Sequence, residues 1–229
     1  MTSQPQPQAF TGLKSIDWLK LDAITREPSS PNKPCIAFFH GTGQYIRSPN
    51  FISKLTSRWE YWHFPTMSGV VEECERRGFG CFMPQGPLRN WRPWEDSEDP
   101  QLLAAAIRFR TSASGKLFLA GLSDGGTLVN IMSFRKDEPW SGYVSYSGVF
   151  RDSWEGSPDL EFPTSKPFLI CSNKFESGMT AEGSENLYRR FREAGKTDVE
   201  KIVFNEDRHE WSIRSNRRIF DWIQKVAEN

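Results

Sequence analysis

The 229-residue sequence has no excess of either charge, with Lys+Arg and Asp+Glu at 29 each. That balance supplies no basic field for nucleic acid and no polybasic anchor for a membrane surface. Long apolar runs are missing too, and no stretch approaches the ~20 residues that cross a bilayer as a helix. Cysteine is sparse: Cys35, Cys74, Cys81 and Cys171 show no C-x-x-C spacing. Three of them lie in apolar, strand-like runs, where a reduced thiol is a small buried hydrophobe, so all four read as free thiols in a reducing compartment. No H-E-x-x-H, Cys/His ladder or acidic calcium loop occurs, which leaves no metal site to expect. No G-x-x-x-x-G-K-[ST] occurs and no G-x-G-x-x-G follows a strand, so a nucleotide cofactor is not expected either. Residues 1–9 are Gln/Pro-rich without the basic start and apolar core of a secretory signal, and read as a disordered tail ahead of one domain over residues 10–229. The expectation is a soluble, cytoplasmic protein without cofactor, nucleic-acid partner or membrane contact.

What is present is organised around residues 117–126, Leu-Phe-Leu-Ala-Gly-Leu-Ser-Asp-Gly-Gly. A short apolar run stops at Gly121, and a helix-like stretch over residues 127–135 begins just past Gly125. Ser123 sits between them in the pattern G-x-S-x-G. A strand that turns sharply into a helix holds its serine in a strained conformation at the tip, and a Cβ at either flanking glycine would strike the neighbouring backbone. The pattern by itself arises by chance in roughly one chain in twelve of this size. The strand before it and the helix after it carry the inference of a nucleophile, against the plainer reading of a Gly-rich turn.

The rest of the chain alternates strand and helix. Residues 15–24 suggest a first edge strand. Residues 35–39 form a continuous apolar run, as in a strand covered on both faces, and end in His40-Gly41-Thr42-Gly43. Residues 67–77 read as a helix closed by Gly78, and residues 80–83 as a strand. Asp99-Pro100 opens a further helix with a capping carboxylate and a first-turn proline. Strands follow at residues 143–146, 167–171 and 199–204, with a helix over residues 180–194 ended by Gly195. The last helix places Ile219, Trp222, Ile223 and Val226 on one core-facing stripe. This βαβα alternation with short connections implies an α/β fold: a mostly parallel sheet with helices on both faces, without a large cap domain. Active residues in such sheets lie at the carboxyl ends of strands.

A serine nucleophile needs a base, and the chain has three histidines, His40, His63 and His209. His209 follows the last strand and has the right topological place for a general base. The orienting acid should come from the loop after Cys171, where Glu176 stands, and Asp152 is the alternative. The oxyanion of an acyl-transfer intermediate needs two backbone donors, for which the Thr42 and Asp124 N–H groups are the candidates. Gly41, Trp91 and Trp94 are candidates for substrate contact. The aromatic stretch over residues 51–64 reads either as packing or as part of a pocket rim.

Phe39-His40-Gly41-Thr42-Gly43, Gly121-Leu122-Ser123-Asp124-Gly125-Gly126, Glu176 and His209, in the order serine, acid, histidine, resemble an α/β-hydrolase. Met83-Pro84-Gln85-Gly86-Pro87 with Trp91 and Trp94 is similar to the small esterases of that superfamily, namely the phospholipase/carboxylesterase, dienelactone-hydrolase and polyhydroxybutyrate-depolymerase-like (feruloyl-esterase-like) groups. The resemblance spans residues 33–229 and implies a serine esterase acting on a small-molecule ester through an acyl-enzyme. The chain departs from those groups in carrying Glu where they usually carry Asp. A peptidase or amidase of the same fold, and a non-catalytic binding protein on that fold, are the rival readings. Nothing in the sequence specifies a homodimer, although surface aromatics are compatible with one.

Overall fold

The computed structural model describes residues 13–16, 21–44, 46, 64–85, 115–134, 139–150, 166–176 and 178–229. Within them the strands are β1 (Leu13–Ile16), β2 (Leu21–Arg26), β3 (Cys35–Phe39), β4 (Gly80–Pro84), β5 (Leu117–Leu122), β6 (Gly142–Tyr146), β7 (Phe168–Asn173) and β8 (Val199–Phe204). The helices are α1 (Phe64–Ser68), α2 (Val70–Arg77), α3 (Asp124–Met132), α4 (Met179–Glu193) and α5 (Ile213–Glu228).

The strands form one sheet in the order β1-β2-β4-β3-β5-β6-β7-β8. From β4 to β8 every pairing is parallel, whereas β2 runs antiparallel to both β1 and β4. β5 therefore lies mid-sheet between β3 and β6. All residues of β3, β4, β5, β6 and β7 are buried, as apolar strands covered on both faces must be. The period of two sends neighbours to opposite faces. Phe39 and Leu119 pack with Leu128, Val129 and Met132 of α3 and Leu187 and Phe191 of α4. Phe38 and Ala120 face the other layer, with Val70 and Cys74 of α2 and Ile219, Phe220 and Ile223 of α5. On that side Phe220 stacks between Phe38 and Phe79, at centroid distances of 6.1 and 6.0 Å. Ile219, Trp222 and Ile223 are buried as their spacing requires, and Val226 packs partly buried against the same layer.

Two local expectations need correction. The edge expected as one strand over residues 15–24 is a pair, with β1 and β2 in antiparallel register from Leu13↔Ile24 to Ile16↔Leu21. No Asn-Gly or Asp-Gly marks the reversal in the sequence. The helix expected over residues 67–77 is two helices broken at Gly69, whose φ of 59° is left-handed. Gly69 also lies against α5, where an added Cβ would be 2.9 Å from Ile213 Cγ1. All four cysteines are free and buried, and among the described residues no helix is long and apolar enough to cross a membrane. Residues 1–9, and the helix expected from Asp99, lie outside the described residues.

Candidate active site

β5 ends at Leu122 and α3 begins at Asp124, so one residue makes the turn between them. That residue is Ser123, at φ 56° and ψ −116°. An L-residue there is strained by roughly 1–3 kcal/mol and stays only where its surroundings over-determine it. They do so here. Ser123 N–H donates to Tyr146 O on β6 at 2.9 Å, and Thr127 N–H donates to Ser123 O at 2.8 Å. A Cβ on Gly121 would sit 2.3 Å from the Gly125 carbonyl, and one on Gly125 would sit 2.1 Å from Phe39 O. Both flanking positions therefore exclude a side chain. The helix starts at Asp124 rather than Thr127, so the N–H groups of its first turn directly follow the serine.

The loop after β3 is pinned from within. His40 is fully buried, and because a carbonyl can only accept, its Nδ1–H donates to Gly41 O at 2.9 Å. Its Nε2 then accepts from Gln85 Nε2 at 3.0 Å, while Gln85 Oε1 accepts from Ile46 N–H at 2.8 Å. Gln44 Oε1 accepts the Gly41 N–H at 2.7 Å. Burial pulls the His40 imidazole down to about 4, so it is a neutral structural group at neutral pH. The loop meets the serine turn in two ways. Thr42 Oγ1 donates to Asp124 Oδ2. A Cβ on Gly41 would be 3.1 Å from Ser123 Cβ. Thr42, Asp124, Gly41 and Ser123 thus meet at the carboxyl ends of β3 and β5.

The next strands deliver the acid and the imidazole. Ser147 follows β6 with φ 54°, and its N–H donates to Cys171 O at 2.8 Å. Its hydroxyl donates to Glu176 Oε1. Glu176 follows β7 with its side chain only 3% exposed, and the same Oε1 meets His209 Nδ1 at 3.0 Å. Glu176 Oε2 is buried and has no hydrogen-bond partner among the described residues. With Nδ1 donating, Nε2 of a neutral imidazole is left as the acceptor. The His209 side chain is 40% exposed. No hydrogen bond joins it to Ser123 Oγ in this structure. Ser123, Ser147, Glu176 and His209 nevertheless follow four successive strands of the sheet, β5 to β8, all at the carboxyl end. Nearby, burial pushes the Glu210 carboxyl up, against the pull of Arg208 and with the help of Glu206 and Asp207.

Trp91, Trp94, His63 and Asp152 lie outside the described residues, as does nearly all of the aromatic stretch. Sequence reasoning missed Ser147, Gln44 and Gln85. Gln85 stands within the Met83–Pro87 stretch, but nothing in a sequence tells that its amide would reach His40.

The element order, the antiparallel β2 in an otherwise parallel sheet among the described residues, and the serine elbow after β5 define the α/β-hydrolase fold. No protein-family model and no curated protein matches the chain. Solved structures do. The chain is similar to esterase PE8, at 14% identity and a TM-score of 0.67 over 90% of this chain and 99% of that one. It is similar to the Bacillus cereus carboxylesterase, at 15% identity and a TM-score of 0.63 over 90% and 94%. A thermostable esterase matches at 14% identity and a TM-score of 0.64, over 90% of this chain and 59% of that one. At these identities the likeness is one of fold.

Proposed function

We propose that this protein is a serine hydrolase of carboxylic esters, working through an acyl-enzyme. The observation that carries the proposal is Ser123 itself, held at a positive φ where the flanking glycines leave no room for a side chain. Strain of this kind persists at sites where it serves a purpose. The contact between Glu176 and His209, and the esterase names of the similar structures, support the same reading.

In the mechanism, Ser123 Oγ attacks the ester carbonyl carbon and its proton passes to His209 Nε2. The carbonyl oxygen becomes an oxyanion held by the N–H groups of Thr42 and Asp124, each worth about 10²–10³ in rate. Glu176 keeps the imidazole in the Nδ1–H tautomer and stabilises the imidazolium. The tetrahedral intermediate collapses, and the alcohol leaves with the proton from His209. Water then attacks the acyl-enzyme, again giving its proton to His209, and the carboxylic acid departs as Ser123 recovers its hydrogen. The Ser123–His209 hydrogen bond closes in the substrate complex, as catalytic contacts that are open in the free enzyme commonly do.

Small soluble or aromatic acyl esters are the proposed substrates, and Gly41, Trp91 and Trp94 are the residues proposed to contact them. The four free, buried thiols support a reducing compartment, such as cytoplasm. A fluorophosphonate probe tests the proposal without a guess at substrate. The expected result is labelling that maps to Ser123 and disappears in His209→Ala. Folded protein that stays unlabelled refutes the nucleophile. Matched ester and amide substrates then separate an esterase from a peptidase of the same fold.

A further inference from the structure

His209 lies in a loop fastened at both ends to one ring. Phe204, the last residue of β8, stacks on Tyr146 with centroids 5.6 Å apart and planes at 9°. Trp211, fully buried, packs on the same ring at 5.2 Å and donates through Nε1 to Asn216 Oδ1 at 2.7 Å. Between these anchors the chain makes a tight three-residue turn. Glu210 N–H donates to Arg208 O at 3.0 Å, which puts His209 at the apex.

One side chain holds that turn. Asn173, the buried last residue of β7, donates from Nδ2 to Arg208 O at 2.6 Å and to Glu210 O at 3.0 Å. Both amide hydrogens are thus used on the carbonyls either side of the base. Its Oδ1 accepts from Tyr146 Oη at 2.6 Å. Because two carbonyls can only accept, the amide has one possible orientation, and the Tyr146 hydroxyl locks it there. The main chain of the same residue serves the acid, since Glu176 N–H donates to Asn173 O at 3.2 Å. Asn173 therefore fixes the backbone on both sides of the Glu176–His209 contact.

We propose that Asn173 is a positioning residue for the catalytic base, its side-chain amide setting where the turn presents His209 to Glu176 and to the substrate. The inference rests on the serine-hydrolase reading. A packing role would appear as lost stability alone. A positioning role lowers the chemical step while leaving substrate binding intact, because a base displaced by about 1 Å costs up to about 10²-fold in rate.

The test uses the full chain and two variants. Asn173→Asp keeps the volume and the acceptor for Tyr146 but turns both donors into acceptors facing carbonyls. Tyr146→Phe leaves Asn173 in place and removes the hydroxyl that orients it. Each is checked for a cooperative melt, then measured for kcat and KM on 4-nitrophenyl acetate and for the rate of fluorophosphonate labelling. In parallel, NMR with ¹⁵N-labelled histidine follows the Nδ1 proton of His209 among only three histidines. The expected result for Asn173→Asp is a kcat and labelling rate about 10- to 100-fold lower, with KM little changed. The Nδ1 proton should be retained in the parent and exchange-broadened in the variant. Tyr146→Phe should move the same quantities in the same direction by less, and it decides the matter if Asn173→Asp does not fold. Labelling and kcat at the parent level in a folded variant overturn the positioning role. A parent protein that is never labelled overturns the serine-hydrolase reading, and this inference with it.

Discussion

Lowering the pH should unfasten the loop after β3 through His40. This imidazole is fully buried and takes a hydrogen bond from Gln85 on Nε2. Protonating it would put a donor against the Gln85 amide and a charge into an apolar layer. In the unfolded chain the ring titrates near 6.5, and burial pulls it to about 4 in the fold. The unfolded state therefore binds the proton first as pH falls. Stability contributed by the neutral ring is complete above pH 6.5 and drains away between 6.5 and 4. A displacement of that size corresponds to about 3 kcal/mol at 1.36 kcal/mol per pH unit, a large share of the 5–15 kcal/mol typical of a domain. The assay is the urea midpoint at a series of pH values for the parent and for His40→Gln, which lacks this titration. The slopes of stability against pH should differ between pH 6.5 and 4 and coincide above it, because the carboxylates common to both proteins cancel. Parallel curves across that window would show that His40 is not held neutral and does not pin the loop after β3.

Two further outcomes follow from the site. Ser123→Gly should abolish hydrolysis yet raise the urea midpoint, because glycine adopts φ 56° without strain. Relief of 1–3 kcal/mol, less the 0.5–1 kcal/mol of entropy that glycine loses on folding, leaves a gain of about 1 kcal/mol. A lower midpoint would mean that the elbow is not strained. Glu176→Gln preserves shape but not charge, and should cut kcat by roughly 10²–10⁴-fold while leaving the melting temperature within a few degrees. Retained kcat would rule out Glu176 as the acid and leave Asp152 as the alternative.

Much of the fold was legible because its signals are local. Cys35–Phe39 and Val199–Phe204 are strands over the very residues that the sequence suggests. The last helix buries the stripe that its period marks. Gly121 and Gly125 could be read as obligatory because a single close approach dictates each, and Ser123 was legible between them. The order serine, acid, histidine also lies in the chain itself. What the sequence could not supply is of another kind. The break at Gly69 depends on where α5 passes, and the β1–β2 reversal depends on pairing rather than composition. Ser147 reaches Glu176 across 29 residues, and Asn173 grips the carbonyls of Arg208 and Glu210 across 35 and 37. A serine after one strand and an asparagine at the end of another look like any polar residue at a sheet edge. Only the parallel stacking of β5, β6, β7 and β8 brings their carboxyl ends side by side, and at hydrogen-bond range that register decides which polar groups meet.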